Sequence, residues 1–383
     1  MKKYLITLSL VLIFVALLFV GCNKDKVESV KNESLIHEPE FGGIYITKTI
    51  EEFNAMGYEY GDSVDLVFSN GYKLLDLPYY NGYYVDAGNA LLVGYPGYDY
   101  IKAAINYGDD LWDIAKVSES DTATISLNQK GKYKSIQEAS DIHYFDEREK
   151  YSTDVEFANF RNITTGNIKE GILYRSASPC DNKHKRAPYV DRLMEQGNVQ
   201  YILNLADTKE KIDSYIAQED FNSPYFRSIY EGNKFFLMAT KDEKVEPLAM
   251  NMNYRSEEFK QKLVPGFINM SASSGPYLVH CLEGKDRTGF VCILIEALMD
   301  STYKEIVDDY MLTYDNYYGI KAGELKYDII KARNVDAMLR FIINDENADL
   351  STANLSQGAK EYMLSGGMTQ AQLDTFINCF AKA

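Results

Sequence analysis

Cys281 and Arg287 stand with five residues between them on the stretch Gly275-Pro276-Tyr277-Leu278-Val279-His280-Cys281-Leu282-Glu283-Gly284-Lys285-Asp286-Arg287-Thr288-Gly289. A thiol facing several N–H donors and a helix N-terminus is more acidic than a free one, so a reactive thiolate can form near neutral pH. Arg287 offers a planar fork that can hold two phosphate oxygens while the sulfur attacks phosphorus. Thr288 can donate its hydroxyl to the thiolate, and His280 can fix it from behind. The flanks say how these groups are held. Tyr277 to Val279 is a short apolar run suited to a buried strand, and Thr288 to Met299 is apolar at helical spacing. His280 to Arg287 is therefore a strand-to-helix loop. The amides of Leu282, Glu283, Gly284 and Lys285, with the positive end of the helix, would converge on one point, a seat for phosphate or another oxyanion. A Walker A loop is excluded, because Asp286 follows Gly284-Lys285 where Ser or Thr is needed and Val279 occupies the place of the first Gly.

The 383 residues are long enough for two domains, and 46% hydrophobic with 25% charged residues is an ordinary globular balance. Lys2 and Lys3 precede an apolar run from Tyr4 to Val20 and then Gly21-Cys22, the layout of a bacterial secretory signal. A Cys directly after a small residue at the end of such a run resembles a lipoprotein signal, with Cys22 acylated as the mature N-terminus; Phe19 stands where Leu is usual. The alternative is a plain transmembrane anchor, since about twenty apolar residues can span a bilayer. Either way the globular part is expected at the extracytoplasmic face of the cell membrane. Removing residues 1–21 takes away two positive charges and no negative ones, moving the formal charge from -16 to about -18. Such a surface is a poor partner for nucleic acid, and a phosphorylated ligand must find local positive charge. Five cysteines, one assigned to lipid and one to chemistry, make no disulfide framework, and four histidines without paired spacing give no metal site. No cofactor is expected.

Along the chain, 1–22 reads as the signal and 23–42 as a polar tether, followed by a small mainly β domain over 43–140. Val64, Leu66 and Phe68 alternate before Asn70-Gly71, and Asn81-Gly82 sits between two aromatic runs, so two hairpins are expected; one helix is expected near Ile101 to Asn106. The many tyrosines and the single Trp112 either line a sugar- or peptide-binding face or pack the sheet. Residues 150–383 run in α/β order. Strands are expected at Val199–Leu205, Phe235–Ala239 and Val245–Met252, and helices at Ile212–Ala217, Ser256–Ser271 and Glu324–Ile343. Thr369 and Gln372 form a capping box for a last helix.

Cys-x5-Arg with a preceding His and a following Thr-Gly resembles the signature loop of the cysteine-dependent protein-tyrosine and dual-specificity phosphatases. The stretch from His280 to Gly289 is similar to the Gly-Lys-Asp-Arg-Thr-Gly version of an atypical bacterial tyrosine and lipid phosphatase family. Asn159-Phe160-Arg161-Asn162, Leu173-Tyr174-Arg175-Ser176 and Asp309-Tyr310-Met311-Leu312-Thr313 resemble further elements of that family, although Asn162 replaces an Asp and a following glycine pair is missing. Arg161 and Arg175 either serve the site or are structural.

The resemblance implies an α/β phosphatase domain, a central sheet flanked by helices, behind the small β domain. It also implies two-step phosphoryl transfer through a cysteinyl-phosphate on Cys281, with Arg287 and the loop amides replacing a metal. The Trp-Pro-Asp loop of better-known members is absent, and Asn251 to Ser256, where it would fall, holds no carboxylate. Asp286 is then the leading general acid, with Asp242 and Asp207 as alternatives. Phosphotyrosine is the expected substrate. Lys285 keeps phosphoinositides or inositol phosphates open, and a surface lipoprotein that binds peptide or glycan through the β domain is the reading from a different class.

Overall fold

A computed structural model describes residues 27–86, 88–232 and 244–382. Cys22, Asp242 and the strand expected at Phe235–Ala239 lie outside them. No helix among the described residues is long and apolar enough to cross a membrane. The chain divides into two compact units after Asp141.

The first unit is a closed barrel of strands β1 (Val30–Glu38), β2 (Gly43–Thr49), β3 (Ser63–Phe68), β4 (Lys73–Tyr80), β5 (Ala90–Val93), β6 (Tyr100–Ile105) and β7 (Thr122–Gln129), in the order β1-β2-β6-β5-β4-β3-β7. The alternation in β3 sends Val64, Leu66 and Phe68 inward, where they meet Ile44, Ile46, Phe53 and Tyr79. Three expectations need correction. Val30–Glu38 is not tether: it pairs with both β2 and β7 and closes the barrel, burying Val30 and Leu35 behind an otherwise polar strand. Residues 101–105 form a strand, not a helix, because burial between β2 and β5 overrides the helix preference of Lys102, Ala103 and Ala104. Asn70-Gly71 joins an antiparallel pair, whereas Asn81-Gly82 makes no hairpin, since β4 and β5 run parallel. Trp112 is half-buried against the barrel and stacks on His37 with ring centroids 4.8 Å apart; Tyr58, Tyr79 and Tyr80 are buried.

The second unit is built on strands β8 (Arg161–Asn162), β9 (Leu173–Ser176), β10 (Tyr201–Asn204), β11 (Val245–Pro247) and β12 (Tyr277–His280), ordered β11-β10-β12-β9-β8. All pairs are parallel except β8 with β9. Every residue of β10 and β12 is buried, the pattern of a parallel sheet covered on both faces. The expected strand at 245–252 stops at Pro247: the Leu248 amide still donates to Asn204 O, but Ala249, with φ +45°, turns the chain out of the extended path.

We label three helices near the loop. α1 (Glu257–Ser271) is capped by Ser256, which accepts from the Phe259 amide, and it delivers the chain to β12. α2 (Asp286–Leu298) leaves β12 and is buried continuously from Thr288 to Leu298, so it is the central helix of the unit. Around its Phe290 gather Tyr254, Phe259, Phe341 and Tyr362. α3 (Tyr303–Tyr318) starts with a Thr302–Glu305 capping box. The periodic run 324–343 is two short helices around a wider π turn at Ala332–Asp336, and the Thr369–Gln372 capping box is present.

Candidate active site

Cys281 follows the central strand β12 directly, and the next five residues turn into α2. Each carbonyl around that turn has a partner, and those of His280, Leu282, Glu283 and Gly284 are engaged from outside the loop. His280 O accepts from the Leu205 amide (2.8 Å), Leu282 O from the Ser178 amide (3.0 Å) and Lys285 O from the Gly289 amide (2.8 Å). Cys281 O takes the His280 ring at 3.2 Å. Glu283 O accepts from Tyr317 Oη at 2.8 Å, and Gly284 O from Arg175 Nη2 (3.0 Å) and Asn159 Nδ2 (3.2 Å). In a trans peptide the carbonyl of one residue and the amide of the next point opposite ways. Carbonyls tied outward therefore turn the following amides inward, toward the mouth of the loop. Among the described residues none of the amides from Leu282 to Arg287 donates to another protein atom, which leaves a cluster of N–H groups with the N-terminus of α2 for an anion.

The turn depends on Gly284, whose φ is +67° and where an added Cβ would lie 2.2 Å from Ser176 O. Gly284→Ala is expected to lower kcat at least about 10²-fold, because the amide that follows swings out of the cluster. The left-handed φ alone costs about 1–2 kcal/mol, which corresponds to a Tm loss of several degrees at about 2–4 °C per kcal/mol. Thermal melts and turnover on the same preparation check both.

Behind the loop, Asp309 and Thr313 lie one turn apart on α3. Asp309 accepts from Arg161 Nε (2.7 Å) and Arg175 Nη1 (2.5 Å), and Thr313 Oγ1 takes Arg161 and Asn159. Arg161 is thus structural, while Arg175 both pairs with Asp309 and positions Gly284. The three segments noted for their resemblance form one buried bracket around the loop.

Arg287 Nη1 donates to Leu205 O (3.0 Å) and Met250 O (3.1 Å), while its Nε is buried with no partner among the described residues. The segment after β11 brings no carboxylate; through Met250 it orients the arginine instead. Thr288 Oγ1 is likewise buried and unpartnered, and Cys281 is 3% exposed. Burial drives the His280 ring down to a pKa of about 3, so it is neutral. Because a carbonyl can only accept, its proton sits on Nδ1, facing Cys281 O.

Asp286 opens α2. Although 36% of its side chain is exposed, surrounding protein removes enough water to raise its carboxyl above the ordinary range, with Glu283 adding to the rise and Lys285 opposing it. Asp207, beyond β10, is buried; burial raises it too, and it accepts from Tyr215 Oη at 3.1 Å. Lys285 Nζ lies 3.2 Å from Glu283, 3.8 Å from Asp286 and 3.1 Å from Tyr318 Oη. The Cys180 thiol is buried, which pushes its pKa up, and its sulfur lies 3.5 Å from Ser178 Oγ. Among the described residues no group of three or more His, Cys, Asp or Glu is placed to hold a metal ion.

The profile of the tyrosine phosphatase family matches residues 156–377, more than half of the chain. The chain belongs to this family. The match runs from the Asn159 segment to the last helix and so takes in the loop and its bracket. Two solved structures are similar at 18% identity. One is an uncharacterized conserved protein from Thermotoga maritima, with 25% of this chain and 35% of that chain covered and a TM-score of 0.21. The other is the core catalytic domain of the PP-IP phosphatase SIW14 from S. cerevisiae in complex with citrate, with 48% of this chain and 95% of that chain covered and a TM-score of 0.25. These scores are too low to carry an inference. No curated protein sequence matches the chain. For a phosphatase of this family, the residues that sequence reasoning missed are the carbonyl holders: Tyr317 and Ser178 carry no motif signal, and Asn159 lies inside a noted segment without any sign that it reaches the loop.

Proposed function

We propose that this phosphatase hydrolyses phosphomonoesters through a cysteinyl-phosphate on Cys281, with phosphotyrosine in protein as the substrate. The observation that carries the reading is that every carbonyl from His280 to Lys285 has a hydrogen-bond partner while, among the described residues, no amide from Leu282 to Arg287 donates to a protein atom, which leaves the amides for the three phosphoryl oxygens. Sulfur attacks phosphorus as the bond to the leaving oxygen breaks, and a carboxylic acid gives that oxygen its proton. Water then attacks phosphorus, the S–P bond breaks with its electron pair returning to sulfur, and the carboxylate takes the water's proton. Tyr144 and Tyr318, half-buried with ring centroids 5.8 Å apart, give the loop an aromatic rim that suits a phenyl ring.

The first test is hydrolysis of p-nitrophenyl phosphate, its inhibition by vanadate, and acid-quench trapping of a phosphoenzyme. Absence of a thiol-linked phosphoenzyme during turnover would overturn the mechanism. A panel of phosphotyrosine peptides, phosphoserine peptides and phosphoinositides tests the substrate.

Asp286 is the group we assign as acid. It works only when protonated, so the rate falls as pH rises through its pKa, and the upward shift puts that alkaline limb above the ordinary Asp value of about 3.9. Asp286→Asn is expected to lower kcat about 10²-fold for tyrosine phosphate, much less for p-nitrophenyl phosphate, and to abolish the limb. Equal loss for both leaving groups would move the role to another carboxyl, with Asp207 the next to replace.

A further inference from the structure

The cation that could accept a second phosphate is already matched within the loop. Lys285 Nζ sits 3.2 Å from Glu283 Oε2, with Asp286 at 3.8 Å, and it lies over the Tyr318 ring at 5.6 Å from the centroid. Glu283 is itself fixed. Its Oε1 accepts from Tyr144 Oη at 2.9 Å, so the carboxylate cannot swing away without giving up that bond, while its backbone carbonyl is held separately by Tyr317 Oη at 2.8 Å. Burial pulls the Glu283 carboxyl up, but Lys285 and Tyr144 outweigh it and hold it below its usual range, ionised at neutral pH. Only 18% of the Lys285 side chain and 25% of that of Glu283 are exposed, so solvent screens the pair weakly.

We infer that Glu283 is a specificity-determining residue that offsets the charge of Lys285 and so gives a second phosphate no added affinity at the site. A second phosphate beside the first would meet Glu283 as well as Lys285 and gain no net attraction, and a partly buried carboxylate next to it adds repulsion. The hydrogen bonds that hold Arg287, to Leu205 O and Met250 O, do not involve Glu283. The inference rests on the phosphatase reading of this loop, but it concerns binding and can be tested without turnover.

The test is calorimetric binding of inositol 1-phosphate and inositol 1,4,5-trisphosphate to the full protein and to Glu283→Gln at physiological salt. The wild type is expected to bind the two within about threefold of each other, and Glu283→Gln to bind the trisphosphate about tenfold tighter than the monophosphate, the effect of removing the nearer of the two carboxylates beside Lys285. A trisphosphate preference above about tenfold in the wild type, or an unchanged ratio in a folded Glu283→Gln, would overturn the inference. The wild-type arm decides the matter if the variant does not fold, and Tyr144→Phe, which frees the Glu283 carboxylate, is expected to move the ratio in the same direction by a smaller factor. A phosphotyrosine peptide left unhydrolysed would count against the proposed function alone, and the two binding ratios would stand.

Discussion

Cys281→Ser is expected to remove turnover, lowering kcat at least about 10⁵-fold, while leaving the fold and the affinity for a phosphotyrosine peptide close to those of the wild type. The loop explains both halves of that expectation. Its amides are turned inward by bonds to carbonyls, and none of those bonds involves the sulfur, so a phosphate can still be seated when oxygen replaces it. A serine hydroxyl, unlike a thiol, does not ionise near neutral pH and needs a base. The neighbouring imidazole is too weak a base to serve, since burial drives the His280 pKa down to about 3. Steady-state kinetics with p-nitrophenyl phosphate, peptide titration and a thermal melt check the three parts. Activity within about tenfold of wild type would place the nucleophile elsewhere.

The loop was legible because its chemistry is local. A thiol, a fork and a Thr-Gly at fixed spacing between a strand and a helix imply the same backbone turn wherever they occur, and Cys281, Gly284 and Arg287 all lie on that turn. What shapes the turn was less legible, because the carbonyl holders come from far along the chain. Arg175 and Asn159 reach Gly284 O across more than a hundred residues, and the Glu283 carboxylate is met by Tyr144 across 139. Only packing decides such contacts. Arg161 and Arg175 were visible as candidates, yet nothing in their own segment tells that both end on Asp309, so which of them touches the loop had to come from geometry.

The barrel failed to read through for a related reason. Lys102-Ala103-Ala104 has helical preferences that a place between two strands overrides, and Val30–Glu38 shows too few apolar residues to announce a strand that owes its stability to pairing on both sides.

Arg287→Lys is expected to lower kcat about 10³-fold although the charge is kept. In the native loop Nη1 alone satisfies two backbone carbonyls, Leu205 O and Met250 O, and that anchoring leaves Nε, buried and without a partner among the described residues, for the phosphoryl group. A lysine has one nitrogen for both tasks. The two fixed carbonyls compete for its three protons, and no planar fork remains to span two phosphoryl oxygens as their charge rises in the transition state. The loss should therefore fall mainly on kcat, with a smaller weakening of inorganic phosphate binding, since the interaction removed is worth most once the equatorial oxygens have moved into one plane. Parallel measurement of kcat, phosphate inhibition and Tm separates this from collapse of the loop. A loss below about tenfold would mean that charge alone suffices at this position, and the anchoring by Leu205 and Met250 would then serve packing rather than catalysis.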